Sequence, residues 1–182
     1  SYTFIGGASV RGIEIKDTII QGDKTAQLGS ALMLNYNHTN SEWTFINDII
    51  YNMSNAAIYD DSNSPTYGSQ STINIYNNTI YNSGIGIRRR KAAITINNTA
   101  VFGNTTDFSG TITIDHCASD DIVGTNAINI SPGPDEPTDW ANTFTDYTNG
   151  DFSIKDTNSA LYNTGKDLTT IFTNDIIGQT RT

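Results

Sequence analysis

Residues Ile73 to Ile80 read INIYNNTI, and the phrase recurs as IEIKDTII from Ile13, WTFINDII from Trp43, ITINNTAV from Ile94 and, weakened, ITIDHCAS from Ile112. Successive starts lie 30, 30, 21 and 18 residues apart. Repetition of this kind means that one supersecondary unit is stacked on copies of itself. The spacing is too irregular for leucine-rich or ankyrin arrays and suits coils whose loops vary in length. Within each phrase apolar and polar residues alternate, the period-2 pattern of a strand with one buried face. The phrase therefore predicts an all-β fold, a parallel β-helix of about five to six coils.

Stacking the phrases predicts two inward columns, Ile13, Trp43, Ile73, Ile94 and Ile112 beside Ile15, Phe45, Ile75, Ile96 and Ile114. β-branched residues dominate both, as strand packing prefers. A polar column follows at fixed offset: Asp17, Asn47, Asn77, Asn98 and His116. Asn and Asp tolerate left-handed backbone angles, so this column reads as one corner bent alike in every coil. Aliphatics then return at Ile20, Ile50, Ile80 and Val101, with Ser119 the exception, as a second short strand. ALML from Ala31, AAIY from Ala56, GIGI from Gly84 and AINI from Ala127 are candidates for the third strand. The rest of each coil is the crossover between parallel neighbours, and such crossovers are right-handed. Gln21 to Gly29 and Asp60 to Gln70 read as surface insertions.

The repeat occupies residues 1–130. Residues 131–182 read as a proline-rich loop, SPGPDEPTDW, followed by a C-terminal cap over the open core of the same domain. The chain opens at Ser1 on a strand-like SYTFIGG and reads as a processed or excised piece of something longer. A net charge of −9 argues against nucleic acid as the main partner. No apolar run approaches the length that spans a membrane, and a single cysteine makes no internal disulfide.

INIYNNTIYNSGIGI resembles the recurrent repeat of right-handed parallel β-helix proteins of the pectate-lyase-like superfamily, in particular their secreted bacterial and phage-associated members. The closing stretch, from AINISP through NGDFSIKDTNSALYNTG to DIIGQTR, is similar to the C-terminal region of anchored bacterial surface proteins of this group. The resemblance implies a secreted or cell-surface location. It is specific for fold and poor for function, because the superfamily includes polysaccharide lyases and hydrolases, tailspikes and adhesins.

Arg88, Arg89, Arg90 and Lys91 are four of the ten basic residues, set consecutively in an acidic chain. Guanidinium forks suit bidentate capture of carboxylate or sulfate on an acidic glycan. The alternative is that they neutralise acids on adjacent coils. Tyr59, Asp60 and Asp61 end the equivalent strand one coil earlier. That carboxylate pair could hold calcium or act as acid and base, but adjacent residues on a strand face opposite ways, so they converge only if the chain turns there. Asp120 and Asp121 form a second such pair. Tyr36, Tyr59, Tyr67 and Tyr81 at loop or outward positions, with Trp140 in the proline loop, are candidate sugar-stacking rings; Trp43 belongs to the core. His116 reads as a turn residue, His38 has no second histidine near it for a metal, and Cys117 reads as a buried small side chain.

The favoured reading is a non-catalytic surface or adhesion module that binds a polysaccharide or cell-surface glycan through Tyr36, Tyr59, Asp60, Asp61 and Arg88 to Arg90. No catalytic residue and no metal ligand is assigned, and calcium is the one cofactor the acids could take. The alternatives are a lyase or hydrolase acting on an acidic polysaccharide, and a structural spacer or tailspike-like fragment.

Overall fold

The computed structural model describes residues 4–5, 12–25, 29–34, 40–61, 71–130, 136–174, 176, 178 and 180. Among the described residues, three parallel sheets of five strands each form the stack. Sheet A holds β1 (Phe4–Ile5), β4 (Leu32–Leu34), β7 (Ala56–Asp60), β10 (Ile85–Arg88) and β13 (Thr106–Ser109). Sheet B holds β2 (Ile13–Lys16), β5 (Glu42–Ile46), β8 (Thr72–Tyr76), β11 (Ala93–Asn97) and β14 (Thr113–Asp115). Sheet C holds β3 (Ile19–Gln21), β6 (Ile49–Tyr51), β9 (Thr79–Tyr81), β12 (Ala100–Phe102) and β15 (Ala118–Ser119). The chain visits A, B and C in turn throughout, which is the connectivity of a parallel β-solenoid.

The register follows the repeated phrase. Ile13 lies against Trp43, Trp43 against Ile73 and Ile73 against Ile94, while Ile96 meets Ile114. In sheet C, Ile20, Ile50, Ile80, Val101 and Ser119 stack in one column. Ile50, Ile73, Ile75, Ile80, Ile96 and Val101 have no exposed surface, so the space between the sheets is a filled aliphatic core. Trp43 is in that core.

The corner between sheets B and C is built as its residues require. Asp17, Asn47, Asn77, Asn98 and His116 all take left-handed angles, with φ of 53, 56, 59, 51 and 51°. Asn77 Nδ2 donates to Asn47 Oδ1 (2.8 Å), and Asn47 Nδ2 to Asp17 Oδ1 (3.0 Å). The residue after each corner turns inward. Asp48 Oδ1 accepts from Thr18 N (2.9 Å), Asn78 Oδ1 from Asp48 N (2.6 Å), and Thr99 Oγ1 from Asn78 N (3.3 Å). Side chains thus satisfy backbone groups that the turn takes out of the ladder. A second left-handed column that the phrase did not announce, Asn52, Asn82 and Gly103, ends the sheet C strands. Asn82 Nδ2 donates to Asn52 Oδ1 at 2.6 Å.

Three expectations need correction. AINI from Ala127 is not a sheet A strand; β13 takes that place, pairing Ile87 with Phe108. Phe108 is the one apolar side chain in TDFS, so the strand carries no alternating signal. Residues around AINI instead lie over the end of the stack. Single bridges join Thr125 to Asp115 and Ile128 to Ala118. Gly124, at φ +103°, sits so close to Ile114 that an added Cβ would meet its side chain at 2.7 Å.

The second correction concerns SPGPDEPTDW, whose last five residues open a helix, α1 (Glu136–Thr143). Pro137 falls in its first turn, where proline has no intrahelical bond to break. Third, the described C-terminal contacts run along the flank of the stack, where a cap over its end was expected. After α1 come β16 (Phe144–Asp146) and β17 (Asp151–Ile154), an antiparallel pair. Trp140, Phe144 and Phe152 pack on the outer face of sheet C with Tyr51, Tyr81 and Phe102. Leu168 and Phe172 then pack on Ile46 and Tyr76 of sheet B.

Candidate functional site

The residues singled out by charge meet on the outer face of sheet A. β10 pairs with β7 so that Arg88 lies beside Tyr59, and β4 places Met33 on the other side. Ser109 continues the row beyond Arg88. The Arg88 guanidinium covers the Tyr59 ring, its Cζ 4.8 Å from the centroid, a cation–π contact. This leaves the tyrosine only 8% exposed. Its hydroxyl donates to Asp61 Oδ1 at 2.8 Å, and the Arg90 guanidinium donates to the same oxygen at 2.8 Å. Burial, reinforced by the neighbouring Asp61, holds the Tyr59 phenol above its ordinary range.

Asp60 faces the other way. Strand alternation turns it inward in line with Leu34, and it is fully buried. Its Oδ2 accepts the backbone N–H groups of Arg90 (2.9 Å), Lys91 (2.6 Å) and Ala92 (2.8 Å). One carboxylate oxygen therefore forms the inside of the turn that carries the basic run. Arg89 closes that turn from outside, donating from Nε to Ala92 O (2.6 Å). The basic run thus divides: Arg89 shapes the loop, Arg88 and Arg90 attach to Tyr59 and Asp61, and Lys91 is exposed.

This division decides what the acids can do. Asp60 and Asp61 do not converge, so they form neither a proton-sharing pair nor a two-carboxylate cage. Asp120 and Asp121 diverge in the same way. Asp120 accepts Gly103 N (2.7 Å) and Trp140 Nε1 (2.7 Å), whereas Asp121 is exposed. Among the described residues no three of His, Cys, Asp and Glu gather as a metal-ligand set.

The aromatic candidates separate as well. Trp140 is buried and stacks on Phe102 at 3.9 Å between ring centroids, so it is a packing residue and not an exposed platform. Tyr81 is enclosed by Phe102, Tyr147 and Phe152. Tyr36, Tyr67 and His38 lie outside the described residues. His116 occupies its corner with Nδ1 2.8 Å from Asp115 Oδ1, and Cys117 is buried with its thiol pushed up to about 11 by desolvation.

Two acids escaped the sequence reading. Asp48 and Asp107 are both almost wholly buried, and desolvation raises each carboxyl to about 7. Asp48 accepts two backbone N–H groups, from Thr18 and Ile46. Asp107 accepts Asn104 Nδ2 and Asp120 N, with the Asp120 charge adding to the rise. The available signal was positional: Asp48 occupies the place that Asn78 and Thr99 fill in later repeats.

Family models, curated proteins and solved structures yield no match to the chain. Among the described residues, no helix is long and apolar enough to cross a membrane.

Proposed function

We propose that the chain is a non-catalytic module of a secreted or cell-surface bacterial or phage protein, a right-handed parallel β-helix of the pectate-lyase-like kind, that binds an acidic glycan on sheet A. The observation that supports this reading is the outward pairing of Arg88 on Tyr59 with Arg90 on Asp61. It gathers guanidinium donors over a phenol and one partly exposed carboxylate. Such donors suit carboxylate or sulfate groups. Asp60, committed to three backbone N–H groups, is withdrawn from general acid–base work. That favours binding over lyase or hydrolase chemistry.

A glycan array with acidic and neutral polysaccharides, with and without calcium, tests the proposal beside an ultraviolet assay for unsaturated uronides. Salt-sensitive binding that is lost in the Arg88→Ser/Arg90→Ser variant, with the circular dichroism unchanged, is the expected outcome. Turnover would replace the proposal by the lyase alternative. Neither binding nor turnover would favour the spacer or tailspike-fragment alternative.

A further inference from the structure

The C-terminal segment touches the stack along two lines and stands off between them. On sheet C the line runs through Phe144 and Phe152. On sheet B it runs through Leu168 and Phe172, and polar clamps join it to the corner: Lys166 N donates to Asn98 Oδ1 (2.7 Å) and Asn47 Nδ2 to Asn174 O (2.8 Å). Between the two lines the segment passes the B–C corner and leaves a groove of 810 Å³ against it. That volume is in the range of about 300–1,000 Å³ found for ligand sites.

The described lining of the groove is largely apolar and carries acidic side chains. Its floor includes the outward positions Ile19, Ile49, Thr79 and Ala100 that open the sheet C strands. Three large hydrophobic side chains exposed to solvent converge on it, Ile19 at 61%, Tyr162 at 45% and Ile154 at 39%. Asp17 and Asp151 line it, both exposed, and neither makes an ion pair among the described residues. Among the described residues, no lysine or arginine lines it.

From this complementarity we infer that the groove docks an extended peptide segment of about six residues, aliphatic toward the floor, with a lysine or arginine over Asp17 and Asp151. The length follows from the corner column. From Asp17 to His116 there are four interstrand steps, about 19 Å at ~4.8 Å each, and an extended chain advances ~3.3 Å per residue. A polysaccharide fits less well. It needs hydrogen-bond partners at every sugar, and the carboxamides of Asn47, Asn77 and Asn98 are already joined to one another or to the C-terminal segment. The basic residue answers the acids, and the aliphatics remove Ile19 from water.

Selection of phage-displayed random heptapeptides on the whole protein, followed by calorimetry with the synthetic consensus peptide, tests this. The expected consensus alternates aliphatic residues and carries Lys or Arg. Its affinity should fall at least about tenfold in Ile19→Asp, where apolar contact is lost. It should fall about threefold in Asp17→Asn, which keeps the left-handed corner but removes the charge. The Arg88→Ser/Arg90→Ser variant should bind as the native protein does. No enriched peptide, an acidic consensus, or affinity unchanged in Ile19→Asp would overturn the inference. Sedimentation showing a dimer that Ile19→Asp dissolves would also overturn it, assigning the groove to a second copy of the chain.

Discussion

Between sheets B and C the chain turns in two residues every time, at 17–18, 47–48, 77–78, 98–99 and 116–117, whereas between sheets A and B its connections range from 110–112 to 61–71. The uniform corner is a repeated shape: five left-handed residues, of which Asp17, Asn47 and Asn77 bond one another through their side chains while Asn98 bonds Lys166 and His116 lies against Asp115. Changing the length of one copy would throw its polar column out of register with its neighbours. Among the described residues the variable corner shows no left-handed column shared by every coil. The connection at 89–92 wraps around one carboxylate oxygen, that of Asp60 reaching from the neighbouring strand, with Arg89 closing it on Ala92 O. Length is free to change there, and the cations of the candidate glycan site lie at its edge, Arg88 ending β10 and Arg90 in the connection that follows. Regularity supplies the scaffold, and departure from it supplies the chemistry.

The largest expected effect comes from removing that one acceptor. Asp60→Ala leaves three N–H groups without the carboxylate and should cost about 3–5 kcal/mol in urea unfolding. Asp60→Asn, which keeps an oxygen, should cost about half as much. A loss below about 1 kcal/mol for the alanine variant would mean that the variable corner does not depend on Asp60.

The uniform corner should show itself next, through pH. The folded carboxyl of Asp48 lies at about 7 because it is buried, against an unfolded value near 3.8. Over that window the folded state keeps a proton the unfolded chain has released. Stability should therefore fall as pH rises from about 4 to 7 and then level off, by roughly 2–4 kcal/mol. Asp107 adds a slope of the same sign. Urea midpoints at pH 5 and pH 8 measure it. Asp48→Asn, which can adopt the bonding of Asn78, should remove about half of the slope and leave the part due to Asp107, and an unchanged slope would remove Asp48 as a source.

A smaller effect separates the two ingredients of the uniform corner. Asn77→Gly keeps the left-handed backbone and loses the amide bond, at about 1 kcal/mol. Asn77→Ala loses both, at about 2 kcal/mol. Equal costs would show that backbone angle contributes nothing. The smallest effect is at Arg90, whose ion pair with Asp61 is part-exposed. Arg90→Ser should change the unfolding free energy by less than about 1 kcal/mol while weakening glycan binding. A large loss of stability would make the basic run structural.

The uniform half of the fold was legible because its residues recur at fixed offsets. The inward columns, the second strand and the bent corner follow from INIYNNTI and its copies. β13 was illegible because Asp107 occupies a strand position without giving an apolar signal. The helix was hidden by prolines that a first turn accepts. At the site, the opposite facing of Asp60 and Asp61 followed from strand alternation. The cradle of three N–H groups did not, since it depends on how residues 90–92 turn. The burial of Trp140 depends on where a distant segment lands, which its own neighbours do not encode.

The C-terminal flank also changes how the stack is expected to come apart. Phe152 touches Tyr51 and Tyr81, Trp140 stacks on Phe102, and Trp140 Nε1 is bonded to Asp120, so one segment spans four successive strand positions. A bare solenoid couples only nearest neighbours and can fray from either end. Here rungs that never touch are bound through a common brace, and the middle of the ladder should exchange its amide protons as one cooperative unit. The first rung lies beyond the reach of those rings and should open ahead of the rest.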